Sequence, residues 1–288
     1  MADALDPPPT GPHGADAPAL DPLANAAALS ARKSLGQHFL LDRTLVARIV
    51  AAGGPMAGVH AVEIGPGPGA LTEALLASEA PSVTAVELDS RAVALLRPVE
   101  AALSGRLRVI EADALAVDIP ALVPAPRRIV ANLPYNVASP LLVRWLRQAD
   151  AYLSLTLMFQ QEVAERICAV PDTPEYGRLS VLAQWRCETT LLLRLPPGAF
   201  RPPRLLWSAV VALVPRSPAP DPALFAAMER TTAAAFGQRR KMLRGSLKTL
   251  GDAEALLAAA GLDGARRAET LTVAEFERLA RVVAGRAG

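Results

Sequence analysis

From Ser34 onward the chain alternates short apolar runs with stretches of helical spacing. The runs lie at 60–64, 83–88, 107–110, 128–131, 153–159, 189–195 and 208–214. Between them, 71–78, 91–102, 140–148, 161–169 and 178–186 place apolar residues three or four positions apart. Parallel strands need a crossover between them, and helices supply it, so the pattern predicts an α/β domain with a mainly parallel sheet. The last two runs are joined by residues 196–207, too few for a crossover helix. They are predicted to pair antiparallel or to sit at the sheet edge. After residue 215 the texture changes. RSPAPDP (216–222) reads as a linker, and the remainder of the chain predicts only helices, over 222–236, 239–250, 253–260 and 273–284. The last opens on Thr272-Val273-Ala274-Glu275, the pattern in which Thr and Glu satisfy each other's free backbone N–H groups.

Composition adds a boundary at the other end. Residues 1–30 are Ala, Pro and Gly with scattered Asp, too poor in core-forming residues to order themselves, and predict a disordered tail. The tail has neither the basic start and apolar core of a secretory leader nor the arginines of a mitochondrial one. The expected organisation is therefore a tail at 1–30, an α/β domain at 31–215 and a small all-α domain at 216–288.

With 51% hydrophobic and 20% charged residues, the 288-residue chain can bury a sizeable core. No window approaches the roughly 18 apolar residues of a membrane span, so no membrane partner is expected. Cys168 and Cys187 fit neither a zinc spacing nor a disulfide framework, and they suit a reducing cytoplasm. No metal site is expected. The net charge of +2 conceals an asymmetry: the first 31 residues hold four Asp and no cation, and all 30 cations lie beyond them. All but Lys33, Lys241 and Lys248 are Arg, the side chain suited to phosphate forks and base stacking.

Gly65-Pro66-Gly67-Pro68-Gly69 ends the first strand and opens a helix. Its spacing is not that of a dinucleotide loop, and its prolines remove donors that would face a pyrophosphate. It suits an uncharged or zwitterionic ligand; an ordinary Gly/Pro turn would read the same in isolation. Three further strand ends carry chemistry. Glu87, 22 residues after Gly65, is placed to accept ribose hydroxyls. Asp113 follows the third strand, where it could accept an adenine amino proton. The fourth strand runs into Asn132-Leu133-Pro134-Tyr135. Ligand chemistry at successive strand ends is what the carboxyl-edge crevice of a parallel sheet delivers.

This constellation resembles the class I S-adenosylmethionine-dependent methyltransferases, with a Rossmann-like, seven-stranded, mostly parallel sheet. Asn132–Tyr135 resembles their motif for methylating amino nitrogens. The remaining motifs narrow the resemblance. KSLGQHFL (33–40), MFQQEVAER (158–166), YGRLSV (176–181), FRPP (200–203), SAVV (208–211) and AFGQRRKMLR (235–244) are similar, in this order, to those of the ribosomal RNA adenine dimethyltransferases. The branch most alike dimethylates the N6 amines of two adjacent adenines near the 3′ end of small-subunit ribosomal RNA, a step linked to subunit assembly. The match runs from about Arg32 to the C-terminus.

The resemblance implies S-adenosylmethionine as methyl donor, contacted by His38, Leu40, Gly65, Gly67, Glu87, Asp113 and Asn132. It implies that Asn132 and a carbonyl of Leu133 or Pro134 hold the target amine, and that Tyr135 and Phe200 form an aromatic clamp on the base. Arg239, Arg240, Lys241, Arg244 and Lys248, five cations read as one helical segment, would contact RNA. The expected partner is ribosomal RNA in an immature small-subunit particle, met by a monomer in the cytoplasm. Two departures stand out: His38 where the family often has Asn, and Arg204-Leu205-Leu206-Trp207 where it usually has Pro-Lys-Val-Asp. Arg204 and Trp207 would contact RNA or simply pack. Two other readings remain open: a large-subunit adenine methyltransferase conferring antibiotic resistance, and a non-catalytic assembly or nucleic-acid-binding relative.

Overall fold

The computed structural model describes residues 20–32 and 37–285. Residues 1–19 of the tail expected at 1–30, and residues 33–36 of the KSLGQHFL motif, lie outside them. The chain runs α1 (Pro22–Leu29), β1 (Phe39–Leu40), α2 (Arg43–Ala52), β2 (His60–Ile64), α3 (Ala70–Leu76), β3 (Val83–Glu87), α4 (Ser90–Ala102), β4 (Leu107–Glu111), α5 (Ile119–Leu122) and β5 (Arg127–Asn132). It continues through α6 (Tyr135–Arg147), β6 (Ser154–Gln160), α7 (Gln161–Cys168), α8 (Arg178–Arg186), β7 (Cys187–Leu195), β8 (Phe200–Arg201) and β9 (Ser208–Pro215). Helices α9 (Pro222–Gly237), α10 (Leu243–Ser246), α11 (Ala253–Ala260) and α12 (Val273–Gly285) complete it.

Seven strands form one sheet in the order β4-β3-β2-β5-β6-β9-β7. The first five in that row are parallel; β9 runs antiparallel to both β6 and β7. The predicted antiparallel pairing of the last two runs is thus observed, with β7 at the edge. Strand order reverses direction between β2 and β5, which makes the crevice at their carboxyl ends the expected ligand site.

Strand residues alternate between the two faces. Val62, Ile64, Ile129 and Ala131 join one hydrophobic cluster; Ala61, Val83, Ala85 and Val130 join the other. Helices cover both faces, so these strands read as nearly unbroken apolar runs. The cluster under α6 and α8 continues without interruption into α9, α11 and α12. Trp185 meets Phe225 at 5.7 Å between ring centroids, and Tyr176 meets Phe236 edge-on at 6.0 Å. Arg147 grips Glu229 through a bidentate pair. The C-terminal helices therefore share a core with the sheet.

Three local expectations need correction. Residues 22–29 are helical, although the composition predicts a disordered tail to residue 30. Asp21 accepts the Leu23 and Ala24 amides, Pro22 occupies the first turn where its missing N–H costs nothing, and Leu29 is buried. Helix α6 begins at Tyr135 rather than at 140, with Pro140 inside it. The five cations do not share one helix: 238–240 form a turn, Met242 bridges to Arg267, and α10 spans only Leu243–Ser246. Arg239 instead reaches back to the carbonyls of Pro174 and Tyr176 at 2.9 and 2.5 Å. The reciprocal Thr272–Glu275 cap is present, at 2.8 and 3.2 Å.

Candidate active site at the carboxyl edge of the sheet

The parallel strands bring their carboxyl ends to one edge, where they open into a single cavity. His38, Leu40, Gly65, Gly67, Glu87 and Asn132 all line it. The glycine loop makes this approach possible. Gly65 and Gly69 have φ of +70° and +94°, and a Cβ on Gly69 would lie 2.8 Å from Leu20. No residue with a side chain could take that position without displacing its neighbour.

Glu87 is buried at the end of β3, and burial raises its pKa against the pull of its hydrogen bonds. It accepts the amides of Gly67 at 3.0 Å and of Leu88 and Asp89 at 2.8 Å each. A carboxylate offers about four lone-pair directions, so three backbone bonds fix its orientation and one direction remains for a ligand hydroxyl. Beneath the loop, Glu63 on β2 is fully enclosed and accepts the Thr72 hydroxyl at 2.6 Å. Burial lifts its pKa to about 8, opposed by the Thr72 hydrogen bond and reinforced by nearby Glu87. Sequence reasoning missed Glu63. The available signal was a carboxylate between Val62 and Ile64 in a strand otherwise apolar after His60.

His38 donates from Nδ1 to the Pro202 carbonyl at 2.9 Å. A carbonyl can only accept, so the proton of this hydrogen bond sits on Nδ1 and Nε2 is the nitrogen left for a ligand. The pairing of β1 with β8, Phe39 opposite Arg201 and Leu40 opposite Phe200, joins this segment to the 200–204 loop.

Asn132 ends β5, and Tyr135 begins α6 three residues later. Pro134 cannot donate, and its carbonyl accepts Val137 and Ala138 at the first turn of α6. Of the two carbonyls considered from sequence, only that of Leu133 is left for a ligand amine; the Leu133 side chain is buried in the core. Tyr135 bonds the Ser208 hydroxyl at 2.8 Å.

Two sequence expectations come out differently. Asp113 is exposed and does not line the cavity, because its short carboxylate turns back to accept the Leu115 amide at 2.9 Å. Phe200 does face Tyr135, but the gap between the rings is filled. The Arg204 guanidinium lies 4.2 Å from the Tyr135 centroid and 3.9 Å from that of Phe200. It donates to Asn132 Oδ1 and Ser208 Oγ at 2.9 Å each, and to the Tyr135 hydroxyl. Arg240, Lys241, Arg244 and Lys248 are exposed, away from this cavity.

The lining fits an adenosyl sulfonium donor. A fixed carboxylate can take a ribose hydroxyl, the proline-interrupted loop adds no phosphate-type donor array, and a carboxamide marks the far end. Among the described residues no group of three or more His, Cys, Asp or Glu could hold a metal ion, and no helix is long and apolar enough to cross a membrane.

A family model described as ribosomal RNA adenine dimethylase matches residues 28–284. The ribosomal RNA small subunit methyltransferase A of Gluconobacter oxydans is 55% identical over 277 residues, 96% of this chain and 91% of that protein. Its namesake from Rhodospirillum rubrum is 55% identical over 255 residues, 88% of each. Among solved structures, the 23S rRNA methyltransferase ErmE superposes with a TM-score of 0.63 at 26% identity, covering 85% of this chain and 99% of that one. A Plasmodium falciparum dimethyladenosine transferase shares the fold, with a TM-score of 0.70 at 24% identity, covering 84% and 96% of the two chains.

Proposed function

This chain belongs to the ribosomal RNA adenine dimethylase family, and on that premise we propose that it dimethylates the N6 amines of two adjacent adenines near the 3′ end of small-subunit ribosomal RNA. The enzyme acts as a monomer on an immature small-subunit particle in the cytoplasm. The observation that carries this reading is the opening of Asn132 at the end of β5 into the same cavity as Glu87 and the glycine loop. The 55% identity to small-subunit enzymes, against 26% to ErmE, supports this branch over the large-subunit one. An intact Asn132–Tyr135 motif at the cavity argues against the non-catalytic reading.

His38, Leu40, Gly65, Gly67, Glu87 and Asn132 would hold S-adenosylmethionine, which when bound supplies an electrophilic methyl group. Asp113 would keep its place in this set through the carboxylate oxygen that the Leu115 amide does not use. In the first transfer Asn132 Oδ1 and the Leu133 carbonyl accept the two protons of the adenine amine, and in the second one of them accepts the proton that remains, which draws the nitrogen lone pair out of ring conjugation. The lone pair so freed would be aimed at the methyl group that the donor supplies, with the neutral thioether as leaving group, and the amine proton leaves to solvent. Tyr135 and Phe200 stack on the extruded base. Positioning carries much of the rate, because the electrophile needs no further activation. The C-terminal helices, residues 216–288, supply RNA contacts through Arg239, Arg240, Lys241, Arg244 and Lys248. Arg239, already holding two carbonyls, contributes least.

Replacing Asn132 with Ala tests the mechanism. Transfer to methyl-free small subunits should fall by a factor on the order of 10²–10³, with particle binding unchanged. Full transfer by that variant would refute the assigned role.

A further inference from the structure

Arg204 is 5% exposed and has no carboxylate partner within ion-pairing distance among the described residues. Its Nε is buried without a hydrogen-bond partner. An enclosed, unpaired cation is a costly arrangement. Four neutral side chains hold it: Asn132, Tyr135, Ser208 and, through its sulfur, Met158. The planar guanidinium sits over two aromatic rings and directs an amino group at Asn132 Oδ1, 2.9 Å away. A flipped adenine needs the same gap, the same ring faces and the same carboxamide oxygen. The two cannot be there together.

Resting on the function proposed above, we infer that Arg204 is a resident stand-in for the target base, displaced when RNA binds, and that the displaced guanidinium then pairs with a backbone phosphate of that RNA. The surroundings permit this movement. Leu205 is 95% exposed and Trp207 about half exposed, so the segment after Arg204 already lies at the surface. Arg201, also exposed, sits on the same loop and adds to the local positive field. A phosphate gives the side chain the anionic partner it lacks inside, and Arg is the residue best shaped to grip one. The exchange ties base entry to engagement of the RNA backbone. Without RNA the gap stays filled, and the amine-holding oxygen stays occupied.

Among the described residues, Arg204 is also the only Arg or Lys lining the donor cavity. Its charge opposes a sulfonium but is indifferent to the neutral thioether left after transfer. That difference separates an inward cation from a merely structural side chain.

The test uses the full chain and two variants. Arg204→Met keeps much of the volume without the charge; Arg204→Ala also opens the gap. Calorimetric titration with S-adenosylmethionine and with S-adenosylhomocysteine, without RNA, should show both variants favouring the sulfonium form relative to the thioether by roughly threefold to tenfold more than the natural protein does. Binding to methyl-free small subunits across a salt series should lose about one unit of log–log slope in both variants. An unchanged donor preference in both variants would overturn the inward cation, and an unchanged salt slope would overturn the phosphate pairing. A natural protein that binds neither donor form and methylates nothing would instead overturn the function on which the inference rests.

Discussion

At the Glu87 end of the crevice, the buried polar groups are matched. Glu87 has three backbone amides, Glu63 has Thr72, and Asp89 has Arg91 and Gln37. At the Arg204 end a cation is enclosed without a counter-ion, and its Nε has no partner. Both ends lie in one cavity, so the contrast does not arise from depth or fold. Its origin is the ligand each end awaits. The donor end is shaped before its ligand arrives, whereas the acceptor end holds a substitute for a base that must be pulled from RNA. Pre-organisation suits a small ligand met repeatedly; a filled gap suits a reactive site that should open only on the correct macromolecule.

The contrast can be sharpened from outside the crevice. Arg240 and Lys241 lie on the exposed turn before α10 and belong to neither end. Reversing both charges (Arg240→Glu with Lys241→Glu) should weaken particle binding by a factor on the order of ten or more at moderate salt and flatten its salt dependence. Donor affinity measured without RNA should not change. A loss of donor affinity would show that this turn and the donor end are not independent.

A smaller effect probes the donor end alone. Glu63 holds its proton to about pH 8 in the folded protein, against the ordinary value of 4.5 when unfolded. Between these values the folded state binds the extra proton, so stability falls as pH rises through the window. The slope is at most about 1.4 kcal/mol per pH unit from this group. Glu63→Gln removes that dependence while leaving an oxygen for Thr72. Its melting temperature should match the natural protein near pH 4.5 and exceed it near pH 8. Parallel curves across the range would mean that Glu63 is ionised in the folded state.

The two ends also differ in how far the sequence reveals them. Glu87, the glycine loop and Asn132–Tyr135 are legible because each is a strand end. An apolar run followed by a polar residue fixes both the element and the edge where it stops. The alternation of Val62 and Ile64 with Ala61 and Glu63 likewise marks a strand, though not the enclosure of Glu63. Asp113 shows the limit of this logic, since a strand end places a residue near the crevice but cannot say which way a short side chain turns. Arg204 is visible only as a departure from a family pattern. Its position is set by partners 69 and 72 residues away, Tyr135 and Asn132, which no local pattern encodes. Arg239 misleads for a related reason. Its segment has good helix formers, but the side chain gains two carbonyls some 65 residues earlier, and turns replace the helix. In α1 the opposite occurs: an Ala- and Pro-rich stretch that reads as disordered is a capped helix whose Asn25 donates to the Pro68 carbonyl at 3.0 Å.

The most direct measurement is mass spectrometry of ribosomal RNA from cells with and without this protein, digested so that each modified adenine is placed. The expected result is loss of N6,N6-dimethylation from two neighbouring adenines near the 3′ end of the small-subunit RNA, with large-subunit adenines unaltered. Retention of both dimethyladenosines in the deleted strain, or loss of a methyl from the large subunit instead, would contradict the assigned substrate.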